Sequence, residues 1–340
     1  MKKLLAILLI SSIIFSCKKK EEEAAPEETP TTTGTPTDDG YPDTVWTATG
    51  TGPRLIFKFV FDSTQARLDN VGNPSTVASG NSAYSPKFNQ MAAHYLELAP
   101  GDLTAVGSGQ VLYHAPETAA GGTTAIQFSK SVVVRENVVF YSIPLSQVTA
   151  GTYKWLRLSL SYQNYDIPYK ANALTTPGHI GTGTIASFLG YKTYVTKYKI
   201  KDKDFVPSSP APVGGPYVNH LQGYWGFETY IPGYTTNNGY WVADGQSTGT
   251  TTVVNPNPSS PIPAGSCLVT AQFANSTGVS NQVLTITGTE TQDIIVTVSL
   301  STNKSFEFVD PNGDGYYQPE NLNEWPVDMG IRGMIPKVQY

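Results

Sequence analysis

Apolar and polar residues first alternate regularly at residues 55–61, where Leu55, Phe57, Phe59 and Phe61 fall on one face of an extended chain. A period of two marks a strand with one buried side. The pattern is strongest at residues 154–163, with Leu156, Leu158, Leu160 and Tyr162 on one side and Arg157, Ser159, Ser161 and Gln163 on the other. It predicts a half-buried antiparallel strand fed by a turn at Ala150-Gly151. Shorter β-rich runs lie at residues 95–98, 111–113, 132–134, 138–143, 191–200, 268–273, 283–287, 294–300 and 306–309. Asn238-Gly239, between Tyr234 and Trp241, predicts a hairpin turn. No stretch keeps a helical period with capping residues at its ends. The expected fold is all-β: an antiparallel β-sandwich, one large or two packed, with long Pro/Gly loops.

The pattern differs at the start of the chain. Met1-Lys2-Lys3 is followed by twelve apolar or small residues, 4–15, and then by Ser16-Cys17. A helix needs about 20 apolar residues to span a bilayer, so this run reads as an export signal. A small residue followed at once by cysteine resembles the bacterial lipobox. The resemblance implies cleavage after Ser16, a diacylglycerol on the Cys17 thiol and an acylated amine. Several acyl chains make a stable anchor, each buried methylene adding about 0.8 kcal/mol. The mature chain is then expected to sit in outer-membrane lipid through Cys17, with no transmembrane helix. Lys18-Lys19-Lys20-Glu21-Glu22-Glu23 and the Pro-, Thr- and acid-rich residues 24–43 carry too little apolar surface to fold, and predict a disordered tether. The acidic patch behind the cysteine resembles the surface-export signal of Bacteroidota lipoproteins, which implies the cell surface rather than the periplasmic leaflet. Asp43-Thr44-Val45 is similar to the O-glycosylation sequon of that phylum. The expected organisation is a signal peptide over residues 1–16, a tether over 17–50 and a β-rich domain over 51–340. A split near 168–180 is suggested by Pro168, Pro177 and Gly178.

Composition narrows the chemistry. With Cys17 lipidated, Cys267 is the one cysteine left in the mature chain, so no intramolecular disulfide forms, and its apolar neighbours read as a buried strand. A net charge of −5, with 14% charged residues, gives no reason to expect nucleic acid, which requires a basic stripe. Gly245-Gln246-Ser247-Thr248-Gly249 matches a hydrolase nucleophile elbow, but the Thr250-Thr251-Thr252-Val253-Val254 that follows is no helix. The 181–186 run loosely matches a dinucleotide fingerprint but lacks the strand before it.

Three patterns remain. Asp310, Asn312 and Asp314 alternate ahead of Gly315, as in the first half of a calcium loop, with the Tyr316 carbonyl as a fourth ligand and Glu320 as the closing acid, one residue early. Calcium is the expected cofactor of that loop; the other reading is an ordinary Asn-Gly/Asp-Gly turn. The four histidines, His94, His114, His179 and His220, show no metal-pair spacing; His94 and His114 lie in runs that can meet across strands, the other reading being satisfied polar residues at a strand edge. Finally, Trp225, Phe227 and Ile231 share one parity, and Tyr224, Glu228 and Tyr230 the other. One side is expected in the core and the other exposed, so that Tyr224, Trp225, Tyr230 and Trp241 offer stacking faces for a polysaccharide.

The chain resembles a family of Bacteroidota lipoproteins. The lipobox with its charged tail carries the likeness, with Tyr162-Gln163-Asn164-Tyr165-Asp166, Gly223-Tyr224-Trp225-Gly226-Phe227-Glu228, Asp293-Ile294-Ile295-Val296, Ser301-Thr302-Asn303-Lys304-Ser305 and Asp328-Met329-Gly330-Ile331-Arg332-Gly333. It covers most of the chain after residue 54 and brings no activity with it. The strand-rich start and the Ala150-Gly151-Thr152-Tyr153 turn are also similar to copper-linked periplasmic proteins of methanobactin operons, a likeness that transfers no site. The leading expectation is a non-enzymatic, lipid-anchored protein that binds polysaccharide or another envelope protein. A metal-binding protein, calcium-stabilised or copper-type, and a hydrolase of extracellular polymers using acids such as Glu228 and Asp244 are the alternatives.

Overall fold

The structure is a computed structural model that describes residues 31–32, 44–172, 177–207, 219–247, 268–321 and 323–340. Cys17, the signal segment and Cys267 lie outside these residues, as do most of the tether and His220's side chain. In chain order the main strands begin with β1 (Arg54–Asp62), β2 (Lys87–Ala99), β3 (Gln110–His114), β4 (Glu117–Thr118) and β5 (Ala125–Gln127). They continue with β6 (Val139–Pro144), β7 (Trp155–Ala171), β8 (His179–Phe188), β9 (Lys192–Tyr194) and β10 (Asn219–Leu221). The last are β11 (Tyr224–Tyr230), β12 (Tyr240–Gln246), β13 (Leu268–Gln272), β14 (Ile294–Ser301), β15 (Phe306–Val309) and β16 (Met334–Gln339). Among the described residues there is no α-helix, and no helix long and apolar enough to cross a membrane.

Two sheets face each other. One runs β6-β1-β14-β16, with β1 and β14 parallel. The other runs β12-β11-β8-β7-β2-β3 and is antiparallel throughout. Leu55, Phe57 and Phe59 of β1, Leu96 and Leu98 of β2, Leu156 and Leu158 of β7, and Val296 and Val298 of β14 meet in one core. The all-β sandwich expected from the alternation is therefore the fold. A third, smaller sheet, β10-β9-β5-β4, is built from short strands.

The long central strand departs from its sequence pattern in two ways. Arg157, Ser159, Ser161 and Gln163, expected to face water, are all buried. A second layer covers Arg157, which bonds Glu97 and the carbonyls of Thr104 and Ala105, and Ser159, which meets His94, whereas Gln163 donates to the Met329 carbonyl. The register between β7 and β2 also slips three times, at His94, Ser161 and Asn89, and the first two matter here. At Ser161 one extra residue sits in β7, and Tyr162 turns away from the main core into a second cluster with Phe188, Tyr198 and Tyr224. At His94 the extra residue sits in β2. Such bulges bend a strand and re-aim side chains.

Strands run through residues 168–171 and 179–180, where the sequence suggested a break, and these segments pair with each other. Pro168 fits because the β2 partner ends at Asp166 opposite Lys87, leaving that edge of β7 free of a ladder that needs its N–H. The Asn238-Gly239 hairpin joins β11 to β12, with Asn237, Asn238 and Gly239 all at positive φ.

Candidate metal site at His94, His114 and Glu117

The bulge in β2 builds this site. Met91 and Ala93 point into the main core, and so do Leu96 and Leu98. The apolar parity thus slips by one between residues 93 and 96, and both His94 and Tyr95 face away from that core. His114, the last residue of β3, pairs with Tyr95, and the Ala115 N–H donates to the His94 carbonyl at 2.7 Å. Pro116 then carries the chain into β4, where Glu117 pairs with Ile126 of β5. Two strands of the large sheet thereby supply two imidazoles, and the small sheet supplies a carboxylate.

His94 Nε2 lies 3.0 Å from Glu117 Oε1, and His114 Nε2 lies 3.5 Å from the same oxygen. The three candidate ligand atoms all lie within 4.8 Å of one another. The histidine rings are 4.9 Å apart, centre to centre. His94 Nδ1 lies 3.5 Å from the Ser159 hydroxyl, and the Tyr191 ring lies 5.5 Å from the His94 ring, centre to centre. The hydrogen bond with His94 holds the Glu117 carboxyl below its ordinary value despite partial burial. Bonds of about 2.0–2.2 Å to imidazole nitrogen and carboxylate oxygen put one ion inside such a triangle. Nitrogen and oxygen donors in this mix suit zinc, copper, nickel and iron. His94 is buried, whereas the His114 side chain is 44% exposed, which leaves the outer side of the triangle open to water. The ring nitrogen of His94 that faces away from the triangle meets a hydroxyl, the kind of outer contact that fixes a ligating imidazole.

The loop at Asp310 is arranged differently. Asp310 accepts from the Gly313 and Gly315 N–H groups and from the Ser82 hydroxyl, and Asn312 Oδ1 accepts from the Asp314 N–H. Asp314 accepts from the Tyr316 N–H and pairs with Lys170 Nζ at 2.7 Å. Glu320 turns away to accept from the Asn172 N–H. The acid that enters the loop is Glu324, which accepts from the Asn312 and Asn321 amides and the Gln318 N–H. Burial, with the charges of Asp314 and Asp310 nearby, raises the Glu324 carboxyl above its ordinary value. A raised folded value means that ionising the group costs stability, a cost absent in acid that grows as pH rises through that value. Glu324→Gln is therefore expected to gain on the parent in thermal stability between about pH 4 and about pH 7. A variant that falls further behind the parent over that range would contradict the burial argument.

The aromatic residues on β11 follow the expected parity but not the expected exposure. Trp225 and Phe227 belong to the main core and Tyr224 to the second cluster, so both faces of the strand are covered. Tyr224 is packed against Phe188 and Tyr198 and donates to Asp244 at 2.8 Å. Trp241 packs its ring against Phe227. Of the four proposed stacking residues, Tyr230 alone is well exposed, at 58%. Glu228 is buried and accepts the N–H groups of Lys201, Asp202 and Lys203. Its place is thus to pin a turn, and Asp244 is occupied by Tyr224. Ser247, the serine of the elbow-like motif, is buried and donates to the Pro326 carbonyl at 2.8 Å.

Sequence reasoning brought His94 and His114 together but missed Glu117, Tyr191 and Ser159 as their neighbours. The readable signal was the parity slip from Met91 and Ala93 to Leu96 and Leu98, which marks a bulge at His94. No family model matches the chain, no curated protein matches it in sequence, and no solved structure matches it in fold.

Proposed function

We propose that this is a lipid-anchored envelope protein that holds one divalent transition-metal ion at His94, His114 and Glu117, as a binder rather than a catalyst. The observation that carries the reading is the convergence of two imidazole nitrogens on one carboxylate oxygen, at 3.0 and 3.5 Å, beside a strand bulge. Copper(II) is expected to bind most tightly, since a site of nitrogen and oxygen donors follows the general order of divalent affinities, in which copper stands above zinc. The anchor places the site at the outer membrane, facing outward if the acidic tail acts as a surface-export signal. Polysaccharide binding through the β11 aromatic residues has less support, because Tyr224 and Trp225 are buried. Calcium at the Asp310 loop also has less, because Lys170 already supplies a positive charge at Asp314.

The test is the metal content of the protein purified without a histidine tag or chelator, then dialysed against copper(II) or zinc(II) and again against metal-free buffer. One copper or zinc ion retained per chain is the expected result. A chain that retains neither ion contradicts the proposal, and one that retains calcium alone returns the question to Asp310 and Glu324.

A further inference from the structure

The hairpin of β11 and β12 carries an aromatic pair that is held in place yet faces water. Tyr230 closes β11 and Tyr240 opens β12, directly opposite each other, with their rings edge to face at 5.4 Å. Each ring has its own support. Gly239 lies against Tyr230 at φ +89°, where a Cβ would come within 2.5 Å of the ring. Tyr240 takes the Lys203 ammonium over its face, 4.1 Å from the centroid, and its hydroxyl donates to Asp202 at 3.4 Å. The turn that presents Asp202 and Lys203 is itself pinned, because the buried Glu228 carboxylate accepts their N–H groups and that of Lys201. At the tip of the same hairpin, Asn237 and Asn238 hold left-handed backbone at φ 49° and 54°, and both are exposed. Tyr230 itself is 58% exposed. A large ring fixed on one side and open on the other contributes little to the core. It is pre-organised for contact with something outside the molecule.

We propose that this hairpin tip is a sugar-binding platform, on which Tyr230 stacks against a pyranose ring of an uncharged polysaccharide. A pyranose has an apolar face of C–H groups and a rim of hydroxyls. The exposed tyrosine ring matches the face, at the low ordering cost of a side chain already fixed. Asp202, Lys203 and the two asparagine amides match the rim, since together they offer hydroxyl groups both acceptors and donors. Asp202 and Lys203 are adjacent and opposite in charge, which favours an uncharged chain over a strongly charged one. The platform uses none of the buried aromatic residues of β11 and does not depend on the metal reading above.

The experiment is native electrophoresis of the full chain through gels containing galactomannan, xyloglucan or laminarin, with polygalacturonate as the charged comparison. Tyr230→Phe, Tyr230→Ala and Asp202→Ala run beside the parent. At least one of the three neutral polysaccharides is expected to retard the parent. Tyr230→Phe keeps the ring and should be retarded as the parent is, whereas Tyr230→Ala should bind at least ~10-fold more weakly. Asp202→Ala, a change at an exposed side chain, should also weaken binding, so the test does not hang on the folding of one variant. A parent retarded by none of the neutral polysaccharides overturns the proposal. Full binding by both Tyr230→Ala and Asp202→Ala overturns it too, since the sugar then sits elsewhere. Retardation by polygalacturonate alone contradicts the uncharged ligand and overturns it equally. None of these results bears on the metal site.

Discussion

Arg157→Ala should unfold at a much lower urea concentration than the parent, losing about 3–5 kcal/mol of stability. Arg157 and Glu97 are both fully buried, with Nη1 of one 3.2 Å from Oε2 of the other. Truncating the arginine leaves Glu97 as a charge without its counter-ion in the interior, which costs far more than the loss of a surface pair. The arginine also donates to the carbonyls of Thr104 and Ala105 and so holds down the 100–109 loop. Glu97 in turn accepts from the Gly109 N–H at 2.7 Å and the Tyr95 hydroxyl at 3.0 Å. Glu97→Ala should therefore be as damaging as Arg157→Ala. The double change Glu97→Leu with Arg157→Met should recover much of the loss, because an apolar pair of similar volume carries no stranded charge. Urea unfolding of the four proteins measures this. If either single variant falls within about 1 kcal/mol of the parent, the pair is not the buried unit described here.

The second large effect concerns the metal site. His94→Ala and His114→Ala are each expected to weaken copper(II) binding by more than the roughly 10–100-fold typical of losing an outer contact. Ser159→Ala, which removes only the group behind His94, should fall within that smaller range. Affinity in the parent should decline as pH falls, since protons compete for the imidazole nitrogens that must be neutral to bind. Isothermal titration of the four proteins checks the series. His114→Ala is the most informative member, because the side chain is 44% exposed and its loss should leave stability almost unchanged. Equal affinities across the series would place any bound copper elsewhere.

The two variant sets meet at Tyr95. Its ring lies edge-on to His114 at 6.0 Å while its hydroxyl reaches Glu97. The buried pair thus stands behind the histidine side of the site, and Arg157→Ala should also weaken copper binding.

The strands that carry long alternations were readable in the sequence because each one buries a whole face. Residues 55–61 and 156–160 place their leucines and phenylalanines in the core as the period of two requires. The fate of the opposite face was not readable. Arg157 and Ser159 alternate correctly, yet they are covered by residues 100–109 and by strands of two or three residues, too short to show any period. Glu117 escaped notice for the same reason, since its strand has only two residues. On β11 the parity of Trp225 and Phe227 against Tyr224 and Glu228 was correct. Burial of both sides depended on Tyr198 and the 201–203 turn, which periodicity within β11 cannot reveal. The Asp310 pattern gave a tight loop, as read, but its internal acid is Glu324 rather than Glu320.

The most direct test of the metal site is the position of the ion itself. Crystals of the copper-loaded protein, measured on either side of the copper absorption edge, should give one anomalous peak about 2 Å from His94 Nε2, His114 Nε2 and Glu117 Oε1. A peak confined to any other part of the molecule, or none in crystals that demonstrably contain copper, would contradict the account.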